Sequence, residues 1–158
     1  MRQINIPNYG LITIKNILFD INGTIQFQGE LSPVIIDKFK KLKEIYNIYL
    51  ISADTRGNLK DIAEILDVDY IKIQQQGTSE SEAKENELKQ LGKENTIAIG
   101  NGNNDALMLK NALLGIVIIG NEGASIKSIM NSDVAFPDPL SVLNFLLDEK
   151  IMIATLRS

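Results

Sequence analysis

Apolar runs of strand length recur down this chain, each ending in a polar loop that gives way to a helical pattern. Ile17-Leu18-Phe19, Ile48-Tyr49-Leu50-Ile51, Thr96-Ile97-Ala98-Ile99 and Gly115-Ile116-Val117-Ile118-Ile119 are the clearest. Continuous apolar runs, as opposed to strict alternation, fit strands buried on both faces, as parallel strands are. Helical signals lie between them. Ser32 and Pro33 form an N-cap and first-turn pair ahead of Ile35, Ile36, Phe39 and Leu42. A second helix runs through Leu59, Ile62 and Leu66. A third opens on the capping box Ser79/Glu82 and stops at Leu91-Gly92. Leu107, Leu109 and Ala112 mark a fourth, a short helix is expected near 126–130, and Asp138-Pro139 caps a last one. Short strands are expected around 70–73 and 134–136, and an extended piece at 11–14.

Strands alternating with helices predict an α/β fold: a three-layer, Rossmann-like parallel sheet with helices on both faces. Its 158 residues suit one domain, 1–158, with residues 1–15 as a short N-terminal extended segment. Residues 25–32 and 56–77 leave no length for an inserted cap domain.

The residue inventory narrows the chemistry. There is no Cys and no His, which excludes thiolate sites, disulfides, imidazole catalysis and His–metal centres. Catalysis must come from carboxylates, Lys, hydroxyls, amides and backbone. A net charge of −4 without a basic block disfavours nucleic-acid binding. Neither a signal segment nor a membrane-length apolar run is visible, so the chain reads as cytoplasmic and free of the membrane.

Three strand ends carry the polar residues of interest. Phe19-Asp20-Ile21-Asn22-Gly23-Thr24 places an acid where a strand stops and a turn begins. In open α/β sheets that edge is where ligands bind. Alone, the hexapeptide fits equally well a strand-ending Asp in an Asx turn. Ile51-Ser52-Ala53-Asp54 ends the second strand, and Ser52 alone fits an ST turn. Gly100-Asn101-Gly102-Asn103-Asn104-Asp105 ends another, where Asp105 can simply cap the next helix. Lys84 follows Glu80 by four residues, a spacing that also suits a surface salt bridge.

Taken together and in order, these motifs resemble those of haloacid dehalogenase (HAD) superfamily phosphohydrolases. Within that superfamily they look most like the phosphorylation domain of P-type ATPases and its soluble relatives. Asp20-Ile21-Asn22-Gly23-Thr24 matches the phosphorylated-Asp motif, and Leu50-Ile51-Ser52-Ala53-Asp54 resembles the second motif. Lys84 stands at the lysine position, and the segment from Gly100 to Leu109 resembles the fourth motif. The resemblance implies that Asp20 is a nucleophile forming an aspartyl-phosphate, with Asn22, Ser52 and Lys84 completing the catalytic set. It implies phosphate contacts from Gly23, Thr24, Ser52, Ala53, Lys84 and Asn104. It also implies Mg²⁺ held by Asp20, Asn22 (through its backbone carbonyl) and Asn101, with Asp105 as a ligand or in support. Asp54 is expected to orient its loop or cap the next helix.

Two positions depart from the usual phosphatase pattern. Asn22 replaces the second Asp that protonates the leaving group, and an amide cannot do that work. Asn101 replaces a metal-binding Asp. The expected activity is a Mg²⁺-dependent, capless phosphohydrolase acting on a phosphorylated small molecule or macromolecule. Its open site invites cover by a second copy of the chain. The alternative is a phosphate-responsive regulatory domain that is phosphorylated on Asp20 and turns over poorly.

Overall fold

The computed structural model describes residues 1–25, 31–74 and 77–158. The chain starts with an antiparallel hairpin, β1 (Arg2–Ile6) and β2 (Gly10–Ile14). It continues through β3 (Asn16–Asp20), α1 (Pro33–Lys43), β4 (Asn47–Ser52), α2 (Leu59–Leu66) and β5 (Asp69–Lys72). Then come α3 (Glu80–Leu91), β6 (Thr96–Gly100), α4 (Ala106–Asn111), β7 (Leu114–Ile118), α5 (Ile126–Met130), β8 (Val134–Phe136), α6 (Pro139–Leu147) and α7 (Glu149–Leu156). Strands β3 to β8 form one parallel sheet in the spatial order β5-β4-β3-β6-β7-β8. The order grows outward from β3 first on one side and then, from β6, on the other. The carboxyl ends of β3 and β6 therefore flank the switch point, where such sheets open a crevice.

Side-chain parity divides the sheet into two cores. Ile17, Phe19, Ile48, Leu50, Ile97 and Ile99 pack with α1, α2, α6, α7 and the hairpin. Leu18, Ile51 and Ala98 face the other way, onto Ala83 and Leu88 of α3 and onto Met108 and Leu109 of α4. Helices thus cover both faces, as the apolar runs imply. Asp20 shares the parity of Leu18, which turns it toward the α3 side.

The caps form as the sequence indicates. Ser32 Oγ accepts from the Val34 N–H, Ser79 and Glu82 form a reciprocal capping box, and Asp138 accepts from the Ser141 N–H. Two elements go beyond the sequence reading. The N-terminal segment is a full hairpin in which Ile4 pairs with Ile12, and Ile4, Ile6, Ile12 and Ile14 are buried. The helix begun at Asp138 ends at Leu147, and Asp148 starts α7 by accepting from the N–H groups of Lys150 and Ile151.

Gly115 in β7 fixes how closely α4 approaches the sheet. A Cβ there would sit 2.2 Å from the Leu109 carbonyl oxygen and 2.9 Å from its carbon, both rigid backbone. Gly115→Ala is expected to destabilise the fold by about 2–3 kcal/mol, the cost of overpacking against atoms that cannot swing aside. Urea unfolding checks this, and an unchanged midpoint would refute the packing account.

Candidate active site

Asp20 ends β3 with 5% of its surface exposed. Lys84, one turn into α3, extends beneath it with no exposure at all. Its Nζ donates to Asp20 Oδ1 at 2.6 Å and to Asp105 Oδ1 at 2.7 Å. Glu80, the i−4 neighbour that a surface salt bridge would use, is 3.8 Å away. Lys84 is therefore a buried bridge between two carboxylates.

Asp105 is fully buried, and each of its oxygens is engaged. Oδ1 takes Lys84, while Oδ2 accepts from the N–H groups of Asn101 at 3.0 Å and Gly102 at 2.9 Å. A Cβ on Gly100 would meet the Asp105 carboxyl at 2.5 Å, so glycine makes room for this inward turn. The carboxylate shapes the loop and anchors Lys84, and does not line the cleft. This arrangement favours the supporting role over ligation.

Asp54 likewise supports. Its Oδ1 accepts from Leu59 N–H at the head of α2 and its Oδ2 from Lys72 Nζ, each at 3.0 Å. The Leu59 N–H and Lys72 together hold its carboxyl below the usual range. Its own N–H donates to Ser52 Oγ at 2.9 Å. That contact fixes the hydroxyl as an acceptor from one side and leaves its proton to donate into the cleft.

Thr24, expected among the phosphate contacts, is fully buried instead. Its Oγ1 lies 3.3 Å from Asp20 Oδ2 and 3.4 Å from Asn101 Oδ1, so it links the first and fourth motifs. Gly23 has φ +73, and a Cβ there would lie 2.3 Å from Asn101 Nδ2 and 2.8 Å from Glu122 Oε2. Only glycine permits that approach at that backbone angle.

These residues open onto a cleft of about 290 Å³. Asp20, Asn22, Ser52, Ala53, Asn101 and Asn104 line it, joined by Thr55, Glu80, Gly102 and Glu122. The Asn104 amide donates to Glu80 Oε1 at 2.6 Å. Asn22 Oδ1 is buried, and among the described residues it has no hydrogen-bond partner. Larger hollows exist elsewhere: about 540 Å³ beside Arg2, Lys38 and Asp148, and about 440 Å³ beside Pro33, Val34 and Leu140. Neither contains a carboxylate bridged to a buried cation, so the smaller cleft is the candidate active site.

The buried triad carries one Lys against two acids. Burial first, and then the Asp105 charge, raise the Asp20 pKa, and against the pull of Lys84 and Thr24 it settles at about 7. For Lys84 burial works to lower the pKa, but the charges of Asp20 and Asp105 outweigh it and keep the ammonium protonated.

A family model described as haloacid dehalogenase-like hydrolase matches residues 25–112, more than half of the chain. The chain belongs to the haloacid dehalogenase-like hydrolase family. The matched segment begins just after the Asp20 loop, so for Asp20 the geometry above is the stronger ground. A Methanocaldococcus jannaschii protein, uncharacterized protein MJ0073, is 52% identical over 83 residues, covering 50% of this chain and 89% of that one. A soluble P-type ATPase-like phosphatase of the same organism is 28% identical over 118 residues, or 73% of this chain. The match spans only 42% of that longer relative. Among solved structures, a 3-deoxy-D-manno-octulosonate 8-phosphate phosphatase from Moraxella catarrhalis is similar. That structure contains magnesium ion, phosphate ion and KDO, and it superposes with TM-score 0.68, covering 91% of this chain and 94% of that chain. At 18% identity that likeness shows the shared HAD fold. Among the described residues, no helix is long and apolar enough to cross a membrane.

Glu122, like Thr55, Glu80 and Gly102, lines the cleft without having been expected there from the sequence. It lies in the loop after β7, and its place beside Asn101 follows from β7 neighbouring β6. Only the Gly120-Asn121-Glu122-Gly123 turn at a strand end hinted at it.

Proposed function

We propose that this protein is a Mg²⁺-dependent phosphohydrolase that forms an aspartyl-phosphate on Asp20. The observation that carries the reading is Asp20 bridged by buried Lys84 to Asp105, beside a Ser52 hydroxyl free to donate, in a small polar cleft. The similar relatives named as phosphatases support it.

An Asp20 carboxylate oxygen attacks phosphorus, and the bond from phosphorus to the leaving oxygen breaks, that oxygen taking the electron pair. Water then attacks the phosphorus of the acyl phosphate. The bond to Asp20 breaks, the carboxylate is restored, and inorganic phosphate leaves with the water's oxygen. Ser52 and the Ala53 N–H would hold phosphoryl oxygens, with the Asn104 amide beside them; all three residues line the cleft. Lys84 keeps a fixed positive charge behind the nucleophile.

The cleft's donor set fits Mg²⁺, a hard cation that prefers oxygen. Among the described residues, no three Asp, Glu, His or Cys side chains gather into a metal-holding group. The site must therefore use neutral oxygens too, and Asn22, whose side-chain Oδ1 has no hydrogen-bond partner among the described residues, lies where one is needed. Asp20, the Asn22 carbonyl and Asn101 would hold the ion. When bound, Mg²⁺ supplies charge that keeps Asp20 ionised and offsets the phosphoryl oxygens.

Incubation with Mg²⁺ and acetyl phosphate or p-nitrophenyl phosphate, acid quenching and intact-mass measurement test this reading. The expected result is phosphate release together with an alkali-labile phosphoryl group on the Asp20 peptide. Release without any such adduct, at a rate unchanged in Asp20→Asn, would overturn it. A long-lived adduct with little release would favour a switch, the reading that Asn22 also allows.

Asn22 sets the substrate range. With no acid to protonate the leaving oxygen, acyl and aryl phosphates should turn over faster than alkyl phosphates. Asn22→Asp is expected to raise alkyl-phosphate turnover by at least about tenfold, within the usual worth of a placed general acid. Equal gains on acyl phosphates would argue against the leaving-group account.

A further inference from the structure

Resting on the cation part of the reading above, we infer that Glu122 is the second carboxylate of the cation site, supplying the charge that Asn101 lacks. Its Oε2 and the Asn101 Nδ2 both face the space above Gly23, where a Cβ would sit 2.8 Å from the first and 2.3 Å from the second. Asn101 Oδ1 lies instead 3.4 Å from Thr24 Oγ1, so Glu122 supplies the oxygen on that side. Both side chains line the cleft that holds Asp20.

The loop that carries Glu122 is tied in place. Gly123 N–H donates to the Gly120 carbonyl at 2.8 Å, and Gly123 takes φ +76 to close the turn. Two residues on, Ser125 N–H donates to the Asn101 backbone carbonyl at 2.9 Å. The two loops are thus stitched together beside the cleft that both side chains line.

Asp105 is taken up by Lys84 and two backbone N–H groups, and Glu80 accepts from Asn104. Asp20 gives Oδ1 to Lys84 and keeps Oδ2 beside the Thr24 hydroxyl alone. Glu122 makes no hydrogen bond or ion pair among the described residues, although it faces the cleft. A carboxylate with no partner among the described residues, in a cleft that Asp20, Asn22 and Asn101 also line, is poised for a cation. Asp20 supplies one negative oxygen toward that ion, and Glu122 supplies the other directly or through one of the waters Mg²⁺ retains. The neutral Asn101 is thereby tolerated.

Manganese titration followed by electron paramagnetic resonance, with no substrate present, tests the inference on the intact chain. Wild type, Asp20→Asn, Glu122→Gln, Asn101→Asp and the Glu122→Gln/Asn101→Asp pair are compared. The expected result is Asp20-dependent binding that weakens about 10–100-fold in Glu122→Gln and is restored by adding Asn101→Asp. Binding that needs Asp20 but is unchanged in Glu122→Gln overturns the role of Glu122 and leaves the cation reading intact. Binding that is indifferent to Asp20, or absent, overturns the cation reading and this inference with it. Because Glu122 sits on an exposed turn, circular dichroism is expected to match wild type.

Discussion

Replacing Asp20 by Asn is expected to end phosphate release while raising the melting temperature of the metal-free protein. The loss follows from removing the proposed nucleophile and should exceed about 10³-fold. The gain follows from the charge imbalance. Burial first, and then Asp105, lift the Asp20 pKa from 3.8 to about 7. Between those values the folded chain holds a proton that the unfolded chain has given up. Raising the pH through that window therefore favours unfolding, and the penalty is complete above about 7. At about 1.4 kcal/mol per unit the shift could cost up to about 4 kcal/mol. Asn keeps the shape but weakens the bond to Lys84, so a net gain of about 1–3 kcal/mol is expected. For a domain of this size that is roughly 3–10 °C. Thermal melts in EDTA at pH 5 and pH 8 check it. The variant's advantage should be larger at pH 8, and a lower melting temperature there would refute the electrostatic account.

That trade of stability for reactivity explains what the sequence could and could not say. The core strands were legible because burial on both faces makes them continuous apolar runs. The caps at Ser32, Ser79 and Asp138 were legible because capping is local. Chain order was enough to bring Asp20, Ser52, Lys84 and Asn101 to one sheet edge. Strand β1 was harder, because Ile4 and Ile6 give only two alternating positions before Pro7. The break between α6 and α7 was hidden because Asp148 stands between apolar stretches that read as one helix. Which way Asp105 faces was not legible at all. A carboxylate at that spacing suits a helix cap, a cation or Lys84, and only packing behind Gly100 selects the last. Glu122 depends on strand order, which no local pattern encodes.

The run from residue 25 to 32 is too short for an inserted cap domain. We propose an open site whose specificity comes from a short flap, the cleft rim and whatever covers it. Coverage by a second copy of the chain is our proposal for the substrate-free protein. A single monomeric species in light scattering at working concentration would refute it.

Lys84→Met should be the most damaging single change to the fold. It removes the one ammonium between Asp20 and Asp105 and leaves two carboxylates facing each other in a buried space. Breaking a buried ion pair from one side typically costs about 3–5 kcal/mol. Set against a total stability of about 5–15 kcal/mol, that approaches the margin on which such a domain folds. The damage comes from uncompensated charge more than from lost packing, since Met fills most of the lysine's volume. Adding Asp105→Asn to Lys84→Met should therefore recover stability, with a coupling of at least about 1 kcal/mol, although Asp105→Asn alone destabilises. Urea unfolding of the two single variants and the pair measures that coupling. Phosphate release should stay lost in the pair, because the fixed charge behind Asp20 is still gone. Strictly additive losses would mean that Lys84 acts through packing alone, and that the buried bridge does not set the chemistry of Asp20.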